Sequence, residues 1–168
     1  MKNLILFSVI AVALTSALQA GSPGPLQSAL DKYIQIQTAL AGDSLKGVAG
    51  AAADISAIAK SNTGVVPEPV AAQSEALAKA ADIKAAREAF KPLSATLIAA
   101  LSADKSISGQ YYEAFCPMAK ASWIQVGKKV ANPYFGASMS GCGEIRKSLG
   151  GQPQANSAGN EGMSCCGS

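Results

Sequence analysis

The fold class is indicated most directly by residues 83–101, IKAAREAFKPLSATLIAAL. Large apolar residues recur in this stretch at intervals of seven, three, four and four, namely Ile83, Phe90, Leu93, Leu97 and Leu101. Because an α-helix has about 3.6 residues per turn, this spacing places the side chains on one face. Asp82 just before the stretch predicts an N-cap, and Pro92 inside it predicts a kink. The stretch therefore predicts an amphipathic helix.

Three more helices are predicted upstream. The first has an apolar stripe made of Leu26, Leu30, Tyr33, Ile34 and Leu40. The stripe of the second is made of Leu45, Val48, Ala52, Ile55 and Ala59. Gly42 predicts the end of the first helix, and Asp43 is predicted to cap the second. The third begins at Pro69, because proline suits a first helical position. Four amphipathic helices with short connections predict an antiparallel bundle.

The texture of the chain changes after Gly109. Residues 111–115 and 123–126 are predicted to be short strands, Asn132-Pro133 a turn, and residues 138–149 a short final helix. From residue 151 onward the chain is rich in Gly, Ser, Asn and Gln, which predicts a disordered tail over 151–168. The predicted fold class is mainly α, with an antiparallel helical bundle and a small mixed C-terminal subdomain. Residues 22–150 are predicted to form a single domain.

The first 20 residues have the features of a secretory signal peptide. Lys2 gives a basic start, an apolar run extends from Leu4 to Leu14, and the small residue Ala20 precedes Gly21. The run is too short to span a bilayer as a mature helix. The sequence therefore predicts a periplasmic or secreted protein that is soluble, with no membrane insertion once the signal is removed. A retained signal anchor is the alternative.

Charge and composition exclude several classes of function. The chain has 168 residues and a formal charge of +3, which falls to +2 when Lys2 is removed. This is too weak to indicate a nucleic-acid partner. The chain has no His, so it lacks the commonest general base and the commonest zinc ligand. No spacing of Lys, Cys, Ser or carboxylates indicates catalysis, and we predict that the protein is not an enzyme.

Two sulphur pairs stand in the segment 111–143, and they make the sharpest functional signal. Cys116 and Met118 are two residues apart, as suits one side of a strand, and Met139 and Cys142 are three apart, as suits one face of a helix. Two thiolates and two thioethers facing each other suit a soft ion such as Cu(I). The alternative is a Cys116–Cys142 disulfide, which would stabilise the fold by about 3–4 kcal/mol.

The predicted tail carries a second group of sulphur atoms. Met163, Cys165 and Cys166 could form an accessory site for a soft ion on a flexible tether. Adjacent cysteines form a mutual disulfide only with strain, so pairing with another chain is a second alternative. An incidental tail is the third.

The order of motifs in this segment also resembles a known family. CPMA at 116–119, Trp123, NPYFG at 132–136 and MSGCG at 139–143 resemble a bacterial exported domain of unknown function. That domain also occurs as the C-terminal module of copper/silver efflux periplasmic adaptor proteins. The resemblance extends over about residues 26–149, although Phe115 stands where family members often carry His.

The resemblance implies a role in metal resistance or efflux, with Cu(I) or Ag(I) as the bound ion. It also implies an efflux-adaptor or metal-trafficking protein as the partner. The alternative is an accessory or interaction protein of an efflux assembly that binds no metal, with Cys116–Cys142 as a structural disulfide.

Overall fold

The structure is a computed structural model that describes residues 23–104, 107 and 109–151. The predicted signal peptide and the predicted tail beyond Gly151, with Met163, Cys165 and Cys166, lie outside the described residues. Four helices come first: α1 (Pro25–Ala41), α2 (Val48–Ser61), α3 (Pro69–Ala78) and α4 (Ile83–Ala103). A small sheet follows, made of β1 (Tyr111–Cys116), β2 (Ala121–Val126) and β3 (Glu144–Leu149). A short 3₁₀ helix, Gly136–Met139, lies between β2 and β3.

The helix boundaries follow the sequence signals closely. The Asp82 carboxylate accepts a hydrogen bond from the Ala85 N–H at 2.8 Å, so the predicted cap of α4 is confirmed. Pro69 begins α3 and Gly42 ends α1, also as predicted. None of the helices in the described part of the chain is long and apolar enough to cross a membrane.

One predicted helix start is wrong. α2 begins at Val48, after Gly47 with a φ of 79°, and not next to Asp43. Leu45 therefore lies before the helix and is 38% exposed, outside the buried stripe. The Asp43 carboxylate instead accepts hydrogen bonds from the Arg87 guanidinium and the Ala137 N–H. Asp43 therefore makes tertiary contacts and does not cap α2 as the local sequence predicted.

The helices pack on one another in chain order, and their apolar stripes form the core. The fully buried large side chains of these helices are Leu30, Tyr33, Ile36, Leu40, Ile55, Leu77, Phe90, Leu93, Leu97 and Leu101. The rings of Tyr33 in α1 and Phe90 in α4 stack with centroids 4.7 Å apart. Each buried Leu or Ile contributes about 1.5–3 kcal/mol, so this cluster supplies most of the cohesion of the helical region.

The predicted final helix over residues 138–149 is wrong. Residues Glu144–Leu149 form β3, which pairs antiparallel with β1 in a sheet of order β2-β1-β3. The pairing includes an irregularity between Glu113 and Ala114, where the register shifts. Glu, Arg, Lys and Leu favour a helix locally, but the hydrogen bonds offered by the free edge of β1 decide the conformation. The fold is thus mixed, α followed by β, rather than mainly α.

Two tyrosines attach the outer edge of β2 to the rest of the protein. The Ile124 N–H donates to the Tyr33 hydroxyl at 3.1 Å, and the Tyr134 hydroxyl donates to the Ser122 carbonyl at 2.6 Å. Burial raises the pKa of both phenols above the ordinary value, which keeps the hydroxyls protonated. These bonds satisfy backbone groups that an edge strand would otherwise leave unpaired.

Candidate functional site

The centre of the site is the pair of thiols that the sheet brings together. Cys116 is the last residue of β1, and Cys142 lies two residues before β3, the strand that pairs with β1. Their Sγ atoms are 3.4 Å apart. Both residues are buried, with 0% and 4% of their surface exposed. A sulphur pair with little solvent access is therefore formed by residues that are 26 apart in sequence.

Asn132 holds the loop that carries Cys142. Its side-chain amide donates to the Cys142 carbonyl at 2.7 Å, and its side-chain oxygen accepts from the N–H groups of Tyr134 and Phe135. Its own N–H donates to the Ser140 carbonyl at 2.9 Å. Asn132 is fully buried, so these bonds are shielded from water. One side chain thus fixes both the turn that follows β2 and the backbone position of Cys142.

Gln125 fixes the preceding part of the loop by hydrogen bonds to its backbone. Its side-chain amide donates to the carbonyls of Gly127 and Lys129, and its oxygen accepts from the Ala131 N–H and the Trp123 indole. It is 2% exposed, and every one of these distances is 3.2 Å or less. The backbone leaving β2 therefore reaches Asn132 already ordered.

An ion pair fastens the other side of the loop to the helices. The Arg87 guanidinium donates to the Pro133 carbonyl at 2.8 Å, the Leu40 carbonyl at 2.9 Å and the Asp43 carboxylate at 2.6 Å. The pKa of Asp43 is lowered mainly by the hydrogen bond from the Ala137 N–H and, to a smaller extent, by the one from Arg87. Gly136 lies against this pair with a φ of 56°, a left-handed value that glycine adopts without strain. An added Cβ there would overlap both Asp43 and Arg87.

The two methionines of the predicted cluster are placed differently from each other. Met139 ends the 3₁₀ helix, its carbonyl accepts from the Cys142 N–H at 3.0 Å, and its side chain packs partly against the core. Met118 stands in the turn between β1 and β2 and is 59% exposed. The structure thus brings Cys116 and Cys142 together, keeps Met139 nearby and leaves Met118 on the surface.

Aromatic rings lie beside the backbone that carries Cys142. Trp123 of β2 pairs with Ala114 of β1 and is fully buried. Its ring meets the Tyr134 ring edge-on, with the two ring centroids 5.9 Å apart. Gly143, next to Cys142, lies so close to the Trp123 ring that an added Cβ would stand 2.8 Å from it. Tyr134 also faces Phe90 at 6.2 Å, so the rings connect the sheet to the helical core, as core packing requires.

The sequence reasoning missed Gln125, Arg87 and the full role of Asn132. The signal for Gln125 is a single amide between the apolar residues Ile124 and Val126 of a predicted strand. Such a residue is either solvent-facing or buried with partners, and periodicity alone does not distinguish the two. Arg87 lies on the flank of the α4 stripe and carries no local signal, because its acceptors are 46 and 47 residues away.

The sulphur separation decides what chemistry the pair can perform. It exceeds the roughly 2.05 Å of a disulfide bond, and a shift of the two side chains would close that gap. A metal bound at about 2.3 Å from each sulphur in a bent arrangement would need only a small widening. In the part of the chain that the structure describes, no group of three or more Cys, Asp or Glu residues is placed to hold a metal ion.

Comparison with known proteins finds a similar family for the helical region and none for the residues around the thiol pair. Residues 29–109 match the model of a family described as a protein of unknown function, DUF3347. The match includes most of α1 and all of α2, α3 and α4, and it ends before β1. No curated protein and no solved structure matches the chain.

Proposed function

We propose that the protein is exported and binds one soft metal ion of the Cu(I)/Ag(I) class between the Cys116 and Cys142 thiolates, in metal resistance or efflux. The observation that carries this proposal is the 3.4 Å separation of two buried sulphur atoms. Soft thiolates select soft ions, and burial protects such an ion from exchange with water. The resemblance of residues 111–143 to modules of copper/silver efflux adaptors supports the same class of ion and an adaptor or metal-trafficking partner.

The pair fits a bent bridge better than a linear one. With metal–sulphur distances of about 2.3 Å, a linear ion would separate the sulphurs by about 4.6 Å. The observed 3.4 Å is closer to a trigonal or tetrahedral arrangement, which calls for a third ligand. Met139 is the thioether best placed to supply it, because its backbone already contacts Cys142. Met118, exposed on its turn, would join only if that turn moved.

Binding would release protons from the site. Thiols ligate metals as thiolates, so both Cys116 and Cys142 must lose a proton when the ion enters. The buried complex of two thiolates and one monovalent ion then has a net charge of −1. The apparent affinity should therefore increase with pH.

A structural disulfide is the second candidate, favoured by the same contact. Oxidation of Cys116 and Cys142 would join the end of β1 to the start of β3 and release two protons and two electrons to an external thiol oxidant. Exported proteins meet such oxidants. The protein would then be a helical accessory or interaction protein of an efflux assembly that binds no metal.

Competition with a Cu(I) chelator under reducing conditions tests the metal proposal. We expect one tightly bound ion in a Cys165→Ser/Cys166→Ser background, which removes the thiols of the tail. In that background Cys116→Ser or Cys142→Ser should abolish binding. Met139→Leu conserves volume and removes the thioether, so it should weaken binding, while Met118→Leu serves as the matched control and should leave it unchanged.

Two outcomes would decide against the metal proposal. Equal Cu(I) affinity in the Cys165→Ser/Cys166→Ser protein and in both Ser variants made from it would place any site elsewhere. A thiol count showing Cys116 and Cys142 fully oxidised in periplasmic protein, with no ion bound after reduction, would favour the disulfide.

Export is tested separately by the mass of the protein recovered from the periplasm. We expect residues 1–20 to be removed. An intact Met1 in that fraction would contradict export by this signal.

A further inference from the structure

A cleft of about 490 Å³ lies between α4 and the β1–β2 hairpin, apart from the thiol pair. One wall is formed by Pro92, Ala95 and Ile98 of α4, and the opposite wall by Phe115 of β1. Lys91, Lys120 and Glu113 add charged groups to the lining. We call this feature the hairpin cleft. Its volume lies within the range of about 300–1,000 Å³ that is usual for small-molecule sites.

Lys120, in the lining of the hairpin cleft, has an unusual backbone conformation. Its φ is 51°, in the left-handed region that favours glycine and costs other residues about 1 kcal/mol or more. Among the described residues, one other non-glycine residue has a positive φ, Asp43 at 55°. Asp43 gains hydrogen bonds to Arg87 and Ala137 in that position. The Lys120 side chain is exposed and makes no hydrogen bond or ion pair with any described residue.

The other charges of the hairpin cleft are already paired. The Glu113 carboxylate accepts from the Ser122 hydroxyl at 2.9 Å and lies 3.4 Å from the Lys147 ammonium group. The Lys91 ammonium group donates to both oxygens of Glu88, at 2.8 and 2.9 Å. The unpaired charge in the lining is therefore the Lys120 cation.

Phe115 has a cation over its ring, and that cation is also paired. The Arg146 guanidinium lies over its ring, with the central carbon 3.7 Å from the ring centroid. Arg146 is also paired with the Glu144 carboxylate, 3.5 Å away, so it adds no unpaired charge beside Phe115.

We propose that the hairpin cleft binds a small organic carboxylate with an apolar body, whose carboxylate pairs with Lys120 while the body packs between α4 and Phe115. The apolar wall provides contact area for the body of the ligand, and the unpaired Lys120 cation fixes the orientation of the ligand through its carboxylate. The Glu113 carboxylate does not repel the carboxylate of the ligand strongly, since Lys147 pairs with it and the Ser122 hydroxyl donates a hydrogen bond to it. The site is separate from Cys116 and Cys142 and needs no metal ion.

Titration with decanoate, below the concentration at which it forms micelles, tests the proposal by calorimetry and by amide chemical shifts of ¹⁵N-labelled protein. We expect saturable binding, with the largest shifts at residues 113–122 and on the cleft face of α4. Decanol has the same chain without charge, and decyltrimethylammonium has the opposite charge. Both should bind at least about tenfold more weakly, the effect of one charge-assisted contact. Equal binding of all three would overturn the proposal.

Lys120→Gly separates a functional role from a structural one. Glycine relieves the left-handed strain, so the melting temperature should rise by about 2–4 °C, as a gain near 1 kcal/mol predicts. Decanoate affinity should at the same time fall about tenfold, because the cation is lost. Stability and binding thus move in opposite directions, which a merely structural lysine would not produce. Unchanged decanoate affinity in this variant would overturn the proposal.

Two further variants complete the test. Lys128→Gly removes another exposed lysine, outside the hairpin cleft, and should leave decanoate binding unchanged. Ala95→Phe places a ring in the hairpin cleft from an exposed position of α4, so the helix can accept it, and it should block binding. If Lys128→Gly weakened binding as much as Lys120→Gly, the attraction would be nonspecific and the proposed site would be rejected.

Discussion

The helical region and the sheet region achieve order by different means. α1 and α4 are joined by large apolar side chains such as Tyr33, Phe90 and Leu97, all fully buried. The loop from β2 to β3 has few such residues and is fixed by the buried amides of Gln125 and Asn132. Apolar contacts tolerate small shifts, whereas hydrogen bonds demand particular atoms at particular distances. The comparison shows why the helices supply bulk stability while the loop supplies the precise placement of Cys142.

The strongest test of this comparison is Phe90→Ala, at the junction of the two regions. Phe90 is fully buried, stacks on Tyr33 and faces Tyr134. Removing the ring should cost about 3–5 kcal/mol through lost burial and a cavity. Urea unfolding should show the loss equally in far-UV circular dichroism, which reports the helices, and in Trp123 fluorescence, which reports the sheet. Lys84→Ala, at an exposed position of α4, is the control. Loss of the helical signal alone would mean that the regions are not coupled at this ring.

Asn132→Ala should break the sheet region selectively. The variant leaves the Cys142 carbonyl and two N–H groups without their side-chain partner, at a cost of about 3 kcal/mol. The fluorescence transition of Trp123 should move to lower urea than the helical transition. Cys142 should also react faster with a thiol reagent. The matched control is Asn62→Ala, whose side chain makes one half-buried bond to the Ile58 carbonyl and should cost about 1 kcal/mol. Coincident transitions in Asn132→Ala would contradict the separate role of the loop.

Gly136→Ala should weaken the contact between the regions. The new Cβ would overlap Asp43 and Arg87, and the φ of 56° strains any residue other than glycine. We expect a loss of about 2 kcal/mol in the free energy of unfolding. Gly141→Ala is the control, because an added Cβ there meets nothing within 4 Å. An equal effect of the two substitutions would show that the close approach at Gly136 is unimportant.

The smallest expected effect is the pH dependence that Asp43 contributes. Its pKa is lowered in the folded state by the Ala137 N–H and by Arg87. A group with a lowered pKa stabilises the fold at pH values above its unfolded pKa, about 3.9, and this contribution is lost as the pH falls through the folded pKa. Wild type should therefore be more stable than Asp43→Asn at pH 7, and the difference should vanish in strong acid. A difference in melting temperature that does not change between pH 7 and pH 2 would contradict this explanation.

The helices could be predicted from sequence because their signals are local. The stripe of α4 repeats with the helical period, and Asp82 and Pro69 mark helix starts that the structure retains. β1 and β2 were also predictable, since aromatic and β-branched residues cluster at 111–115 and 123–126. In these segments the preference of each residue agrees with the contacts it finally makes.

β3 and the surroundings of the thiols could not be predicted in the same way. Glu144–Leu149 lacks an alternating pattern, with Arg146, Lys147 and Ser148 all exposed in succession, so only pairing with β1 reveals a strand. That pairing in turn determines which residues lie beside Cys116. The sequence indicated that a turn at Asn132 returns the chain, but not that Met118 would remain on the surface. Turn chemistry is local, whereas the direction of an exposed side chain depends on the whole hairpin.

The strand order β2-β1-β3 also fixes when the two thiols can meet. β1 and β2 are joined by the four-residue turn 117–120, so their hairpin needs only local chain closure. β3 reaches β1 across a much longer loop, whose closure costs more entropy and comes later. During synthesis, Cys116 and its hairpin partner β2 therefore emerge before Cys142 and β3. The contact between these sulphurs requires the pairing of β3 with β1, so an oxidant that joins them would lock only chains in which β3 has reached β1.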